Sequence, residues 1–234
     1  MTGIIQNRTL LAVSAHPDDI EFSCGGTMFK FKELGYEIYF IVATNGENGF
    51  KIAHKPRSQR VKIRHNEQLK AAKLLGVKKV FFLNHRDCFL RCDDKLREQI
   101  ALVIKKVKPE IIFSFDPSNR SFESVNLLHR DHRVISEAVF DAVFAARNRY
   151  LLPGETHYVK KLWFFGCDKP NHFENITGEI NDKIKLIEAH RSQFSDHESM
   201  QKWVKVHLSK YTKKYKYSEK FRIVSVTQPF TGGD

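Results

Sequence analysis

The sequence predicts an α/β fold built on a mainly parallel sheet with helices on both faces. Three observations carry that expectation. Apolar runs of strand length, rich in Val, Ile and Phe, recur as far as Phe165 without polar alternation, as in strands buried on both faces. Segments with helical apolar spacing separate these runs, and a parallel strand connection needs such a crossover. No self-similarity appears at a period of about 20–50 residues, which removes solenoids and propellers. The arrangement is Rossmann-like.

The strands expected in order are Thr9 to Ser14, Glu37 to Thr44, Lys79 to Leu83, Ile111 to Phe115 and Leu162 to Phe165. Helices are expected over Thr27 to Leu34, Val61 to Leu75, Lys95 to Val107 and His132 to Arg147. Gly35 and Gly76 stand at the C-caps of the first two, and Pro109 stops the third. After Pro170 the pattern changes to one amphipathic helix, Ile180 to His190, a basic stretch and a last apolar run, Phe221 to Val226. The chain therefore reads as a single domain over residues 1–234, with a core of about 1–170 and a C-terminal helical, basic appendage of about 171–234.

Hydrophobic residues make up 41% and charged residues 28% of the 234, a balance that excludes a disordered or collagenous chain. The formal charge of +12 favours anionic partners. Between Met200 and Arg222 eight Lys and Arg face the single acid Glu219, interleaved with Trp203, Tyr211, Tyr215 and Tyr217. This stretch reads either as a solvated basic face or as a site for nucleic acid or an anionic membrane surface. Cys24, Cys88, Cys92 and Cys167 are few and scattered, and the run Leu10 to Val13 is too short for a signal peptide, so reduced thiols and a cytoplasmic location are expected.

In an open parallel sheet ligands bind beyond the carboxyl ends of the strands, so the residues just after each strand matter most. His16 and Asp19 lie three apart after the first strand, with Asp18 beside them. His129-Arg130-Asp131-His132 stands before the fourth helix and offers candidates for a further ligand. Alone, the first cluster would read as a helix cap and the second as a surface loop. Each follows a different strand, and together they suggest a mononuclear metal site, catalytic rather than structural because neither contains cysteine. Such donors suit zinc, and also iron, cobalt or nickel.

Ala15-His16-Pro17-Asp18-Asp19, Gly25-Gly26-Thr27, Thr44-Asn45-Gly46-Glu47, Arg64-x-x-Glu67, Asp87 and His129-x-Asp131-His132 resemble the LmbE-like (PIG-L) zinc-dependent N-acetylglucosamine deacetylases. His190-Arg191-Ser192-Gln193 and Ser218-Glu219-Lys220-Phe221-Arg222 extend the resemblance over nearly the whole chain. It implies one Zn²⁺ per chain on His16, Asp19 and His132, with Asp18 as general base. It further implies that His129 stabilises the oxyanion or protonates the amine, oriented by Asp131 which keeps its pKa up, and that Arg64 faces the substrate's acyl or polar end. Arg130 departs from the family, which usually has proline there.

Gly25, Gly26 and Thr27 also read as a close approach between helix and strand, Glu67 as an ion-pair partner within its helix or with Arg64, and His190 as a residue reaching the site. The long segment from Asp116 to Leu128, with Arg120 and Glu123, reads as a cover for the pocket. The expected function is removal of the N-acetyl group from an amino sugar in a glycoconjugate, nucleotide sugar or surface-polysaccharide precursor, in a phosphate-bearing form that the basic stretch would favour. The alternative is a basic protein binding nucleic acid or an anionic membrane surface on an inactive deacetylase-like scaffold. A homo-oligomer is a further expected partner state.

Overall fold

The computed structural model describes residues 8–49, 55–120 and 128–226. The strands are β1 (Thr9–Ser14), β2 (Glu37–Thr44), β3 (Lys79–His85), β4 (Ile111–Phe115), β5 (Lys161–Phe165), β6 (His172–Asn175) and β7 (Ser218–Ser225). They form one sheet in the order β3-β2-β1-β4-β5-β7-β6. The first five are parallel, and β7 runs antiparallel to both β5 and β6. Leu10, Leu11, Ala12 and Val13 of β1 are fully buried, as a central strand covered on both faces requires.

The helices are α1 (Asp19–Glu33), α2 (Arg57–Leu75), α3 (Asp94–Val107), α4 (Arg130–Arg147), α5 (Ile180–Glu188) and α6 (His197–Leu208). α1, α2 and α5 pack together, and α3 packs on α4 against the opposite face. From β1 the chain winds outward through β2 to β3 and then returns to β4 on the other side of β1. Strand order reverses there, so the loops after β1 and β4 part and leave a crevice between them.

The segment after Pro170, expected as an appendage, instead adds β7 and β6 to the sheet. Its basic part is α6, a loop and β7, with Glu219 and Phe221 buried. Phe221 meets Phe113 and Trp163 edge-on, so this segment closes the main aromatic core. A second apolar cluster joins Ile176, Ile180, Ile184 and Ile187 to Met200, Val204 and Leu208 of α6.

α1 begins eight residues before the expected Thr27, because it is two helical pieces joined at a kink where Cys24 has φ −143° and ψ 16°. A break leaves carbonyls unpaired at the end of the first piece and amides at the start of the second. Lys183 donates to the carbonyls of Glu21 and Phe22, at 2.9 and 2.6 Å. Glu219 accepts from the amides of Gly26 and Thr27 at 3.0 and 2.8 Å. Lys183 and Glu219 bond each other at 2.6 Å, with side chains only 1% and 0% exposed. Each charge thus meets the helix end whose partial charge it complements. Gly26 is required, because a Cβ there would lie 2.9 Å from Ile176.

Asp116 follows β4 and accepts two bonds from Arg222 of β7, at 2.8 and 2.6 Å, and two from Ser118. Burial works against its charge, but Arg222 and Ser118 outweigh it and hold the carboxyl below the usual carboxylate range. A depressed folded-state pKa contributes stability that is complete above the unfolded value of about 3.9 and is lost as pH falls through the folded value. Asp116→Asn is therefore expected to flatten the loss of stability with acid below about pH 4. Urea midpoints measured from pH 6 down to pH 3 check this; parallel curves for the two proteins contradict it.

Candidate metal centre

β1 delivers Ala15-His16-Pro17-Asp18-Asp19 into the crevice, and α4 brings His129, Asp131 and His132 to the other side. Asp19 Oδ2 accepts from the His16 amide at 2.7 Å, which folds the loop back on itself. Asp18 has φ 106°, a left-handed backbone that costs free energy for a residue with a Cβ. Three groups hold it there. Its amide donates to Gln68 at 3.1 Å, its Oδ2 accepts from both Arg64 terminal nitrogens at 3.3 Å, and Arg64 also bonds the Pro17 carbonyl. Gly46 makes room for this guanidinium, since a Cβ there would stand 2.8 Å from Arg64 Nε and from Pro17.

The three residues expected to hold the metal come together. His16 Nδ1 lies 3.2 Å from His132 Nε2, His132 Nε2 lies 3.1 Å from Asp19 Oδ1, and His16 Nδ1 lies 3.5 Å from Asp19 Oδ2. A tetrahedral centre with bonds of about 2.0–2.1 Å has edges of about 3.3–3.4 Å, close to the spacing of the two imidazole nitrogens, and each of these nitrogens has one oxygen of the Asp19 carboxylate beside it, a donor set that suits a divalent cation. The His132 ring is stacked on Phe115, 3.9 Å between centroids and 14° between planes, which fixes the direction of Nε2.

His16 Nε2 faces away from this triangle, 3.1 Å from Asp87 and 3.4 Å from Asp131. A carboxylate behind a ligating imidazole sets its tautomer and raises its basicity. Burial opposes a charged His16, but Asp19, Asp131 and Asp87 outweigh it and lift its pKa well above the ordinary value. The same contacts, with backbone amides of Asn48 and Cys88, hold Asp87 and Asp131 below the usual range against burial. Asp19, also buried, is held well below it by His132 and His16. Asp18 is different. Burial raises its pKa and Asp19 adds to the rise, while Arg64 acts against both.

Two expected roles change. Asp131 does not orient His129 through its carboxylate, which instead receives the Cys88 amide at 2.7 Å and faces His16. Its backbone amide donates to His129 Nδ1 at 3.2 Å. Nδ1 therefore carries a lone pair, and a neutral ring has its proton on Nε2. Asp131 and Asp87 do raise the His129 pKa, but burial, with His16 and His132 nearby, outweighs them and the net direction is down. Arg64 lines the crevice but is 2% exposed, and its bonds go to Asp18 and Pro17 rather than to open space.

Glu67 pairs with neither Arg64 nor its own helix; it accepts from the Ser192 amide and hydroxyl at 2.7 and 2.6 Å. His190 is fully buried, with Nε2 3.4 Å from Glu21. Glu21 in turn accepts from Gln68, so His190 stands behind Asp18 through Glu21 and Gln68. Arg130, on the first turn of α4, donates to the Cys88 carbonyl at 3.2 Å. Gln68 had no signal in the sequence beyond its helical position, whereas Gln193, which also lines the crevice, belongs to the His190-Arg191-Ser192-Gln193 motif. Glu123 and most of the expected covering segment lie outside the described residues.

The resulting cavity of ≈ 270 Å³ is lined by His16, Asp18, Asp19, Arg64, His129 and His132 among others. It gathers the Asp18 carboxylate, the His129 imidazole and the His16, Asp19 and His132 side chains around one volume.

Residues 11–143 match the PIG-L family, described as GlcNAc-PI de-N-acetylase. The diacetylchitobiose deacetylase of Thermococcus kodakarensis is 30% identical over 195 residues, 81% of this chain and 71% of that protein. The structure of N,N'-diacetylchitobiose deacetylase from Pyrococcus horikoshii, complexed with an inhibitor, superposes with a TM-score of 0.86 at 27% identity, covering 97% of this chain and 88% of that one. The 4-oxalmesaconate hydratase of Pseudomonas putida is 30% identical over 139 residues, 56% of this chain and 54% of that protein. The matched segment contains the crevice loops after β1, β2 and β3 and the start of α4, and with it the chain belongs to the PIG-L family of de-N-acetylases.

Proposed function

We propose that the protein hydrolyses the acetamido group of an N-acetylated amino sugar carried on a larger conjugate, using one divalent cation, zinc as the family resemblance implies, held by His16, Asp19 and His132. The observation that carries this reading is the triangle of His16 Nδ1, His132 Nε2 and an Asp19 carboxylate with Asp18 next in sequence. When bound, such a cation supplies Lewis acidity, polarising a carbonyl and making water nucleophilic near neutral pH.

The remaining steps belong to side chains. Arg64 bonds fall on Asp18 Oδ2, which leaves Oδ1 to take a proton from attacking water and return it to the leaving nitrogen. Burial raises the Asp18 pKa, which suits a group that must both accept and give up that proton. His129 Nε2–H is the donor available to the developing oxyanion, because the Asp131 amide occupies Nδ1. Arg64 and Gln68 keep Asp18 in its strained conformation through the cycle.

Zinc-loaded protein is expected to release acetate and a free amine in equal amounts from at least one N-acetylglucosaminide in a panel of glycosides, sugar phosphates and nucleotide sugars. Acetate release separates this reaction from a hydration like that named for the Pseudomonas putida relative. No acetate from any member of the panel overturns the proposal.

A further inference from the structure

A second cavity, ≈ 1050 Å³, opens from the same centre, and Asp19 and His132 line both. It runs between α6, the start of β7 and the segments after β4 and β5. Its volume is at the top of the range for ligand pockets, about 300–1,000 Å³, and exceeds what one sugar ring fills.

Its outer wall is unusual in one respect. Trp203 is 55% exposed yet held in place. Its ring stacks on His207 at 4.8 Å and 11°, and meets Phe22 at 6.4 Å and 67°. The Tyr211 hydroxyl bonds His207 Nε2 and locks that ring in turn. Burial, with Lys220, Lys183 and Lys210 nearby, pushes the His207 pKa down, so the platform is neutral at pH 7. A large ring already fixed in orientation loses little entropy when a ligand stacks on it.

The charge on this wall is positive. Lys169 and Lys220 both line the cavity and neither is ion-paired among the described residues, whereas Arg120 bonds Glu137 and Lys183 bonds Glu219. Lys220 lies 5.0 Å over the Tyr211 ring, beside the platform. Among the described residues Asp168 is the one acid lining the cavity besides Asp19.

We propose that this cavity holds the part of the substrate beyond the amino sugar, and that this part carries a ring stacked on Trp203 and a phosphate-type anion held by Lys169 and Lys220. The inference rests on the deacetylase reading above, and it adds which conjugates are preferred. A nucleotide sugar and a disaccharide phosphate share this chemistry.

The test titrates the emission of Trp203, the other tryptophan, Trp163, being 8% exposed and in the core. The probes are N-acetylglucosamine, N-acetylglucosamine 1-phosphate, diacetylchitobiose, diacetylchitobiose 1-phosphate and uridine diphosphate N-acetylglucosamine. At least one of the last two is expected to change the emission and to bind at least about ten-fold tighter than the first three, and which one does so identifies the source of ring and anion. Trp203→Leu, with an unchanged melting temperature, is expected to raise KM for that ligand about ten-fold while leaving N-acetylglucosamine within about two-fold. Lys169→Ala with Lys220→Ala is expected to remove the advantage of the phosphate and most of its salt dependence. Equal affinity for all five probes, or an equal change of all KM values in Trp203→Leu, overturns the inference. Absence of acetate release from every probe overturns the deacetylase reading instead, and the emission titration still reports on the cavity.

Discussion

Asp18→Asn is expected to lower kcat by about 10²–10⁴-fold, the range for loss of a positioned general base, with metal content and melting temperature unchanged. Asparagine tolerates a left-handed backbone better than other residues and still accepts from Arg64, so the loop around φ 106° is kept. What it loses is the capacity of Oδ1 to take a proton. The Asp18 carboxylate stands outside the triangle of His16, Asp19 and His132. Activity and bound metal are therefore separable, and activity retained within ten-fold, or metal lost along with activity, contradicts the assignment.

The largest effect on stability is expected at Lys183. Lys183→Met leaves the Glu219 carboxylate buried without its cation and the carbonyls of Glu21 and Phe22 without a donor. Breaking a buried pair from one side costs about 3–5 kcal/mol. For a chain of this size that is a fall in Tm of about 6–20 °C. The double variant Lys183→Met with Glu219→Gln is expected to lose less than the sum of the two singles, because the uncompensated charge is gone. Calorimetry of the four proteins measures both terms; single variants within about 1 °C of the parent contradict a structural role for the pair.

β1, β2, β4 and β5 were legible because burial on both faces leaves uninterrupted apolar runs, the half-buried edge strand β3 keeps the apolar run Val80 to Leu83, and β1, β2 and β4 begin and end as expected. Other elements were hidden for identifiable reasons. The first piece of α1 buries Asp19 and Glu21 beside Ile20 and Cys24, so charged residues interrupt the apolar pattern of its inward face. β6, His-Phe-Glu-Asn, is short and polar because it lies at the sheet edge. α6 was obscured by Lys202 and Lys205 between its inward residues Met200, Val204 and Leu208. Among site residues, spacing pointed to the ligand-type groups but not to their supports. Arg64 with Asp18, Glu67 with Ser192 and Asp131 with Cys88 and His16 are contacts between distant segments, and only the folded backbone brings them within reach. Glu219 looked like one acid in a basic stretch, and its role depends on a helix kink nearly 200 residues away.

The central claim is that His16, Asp19 and His132 hold one catalytic cation, and metal content tests it most directly. Mass spectrometry on untagged protein, before and after addition of zinc and desalting, is expected to give about one divalent metal per chain, with His132→Ala holding none and Asp18→Asn holding as much as the parent. A parent chain that retains no metal after zinc is supplied, or a His132→Ala chain that retains it fully, contradicts the account.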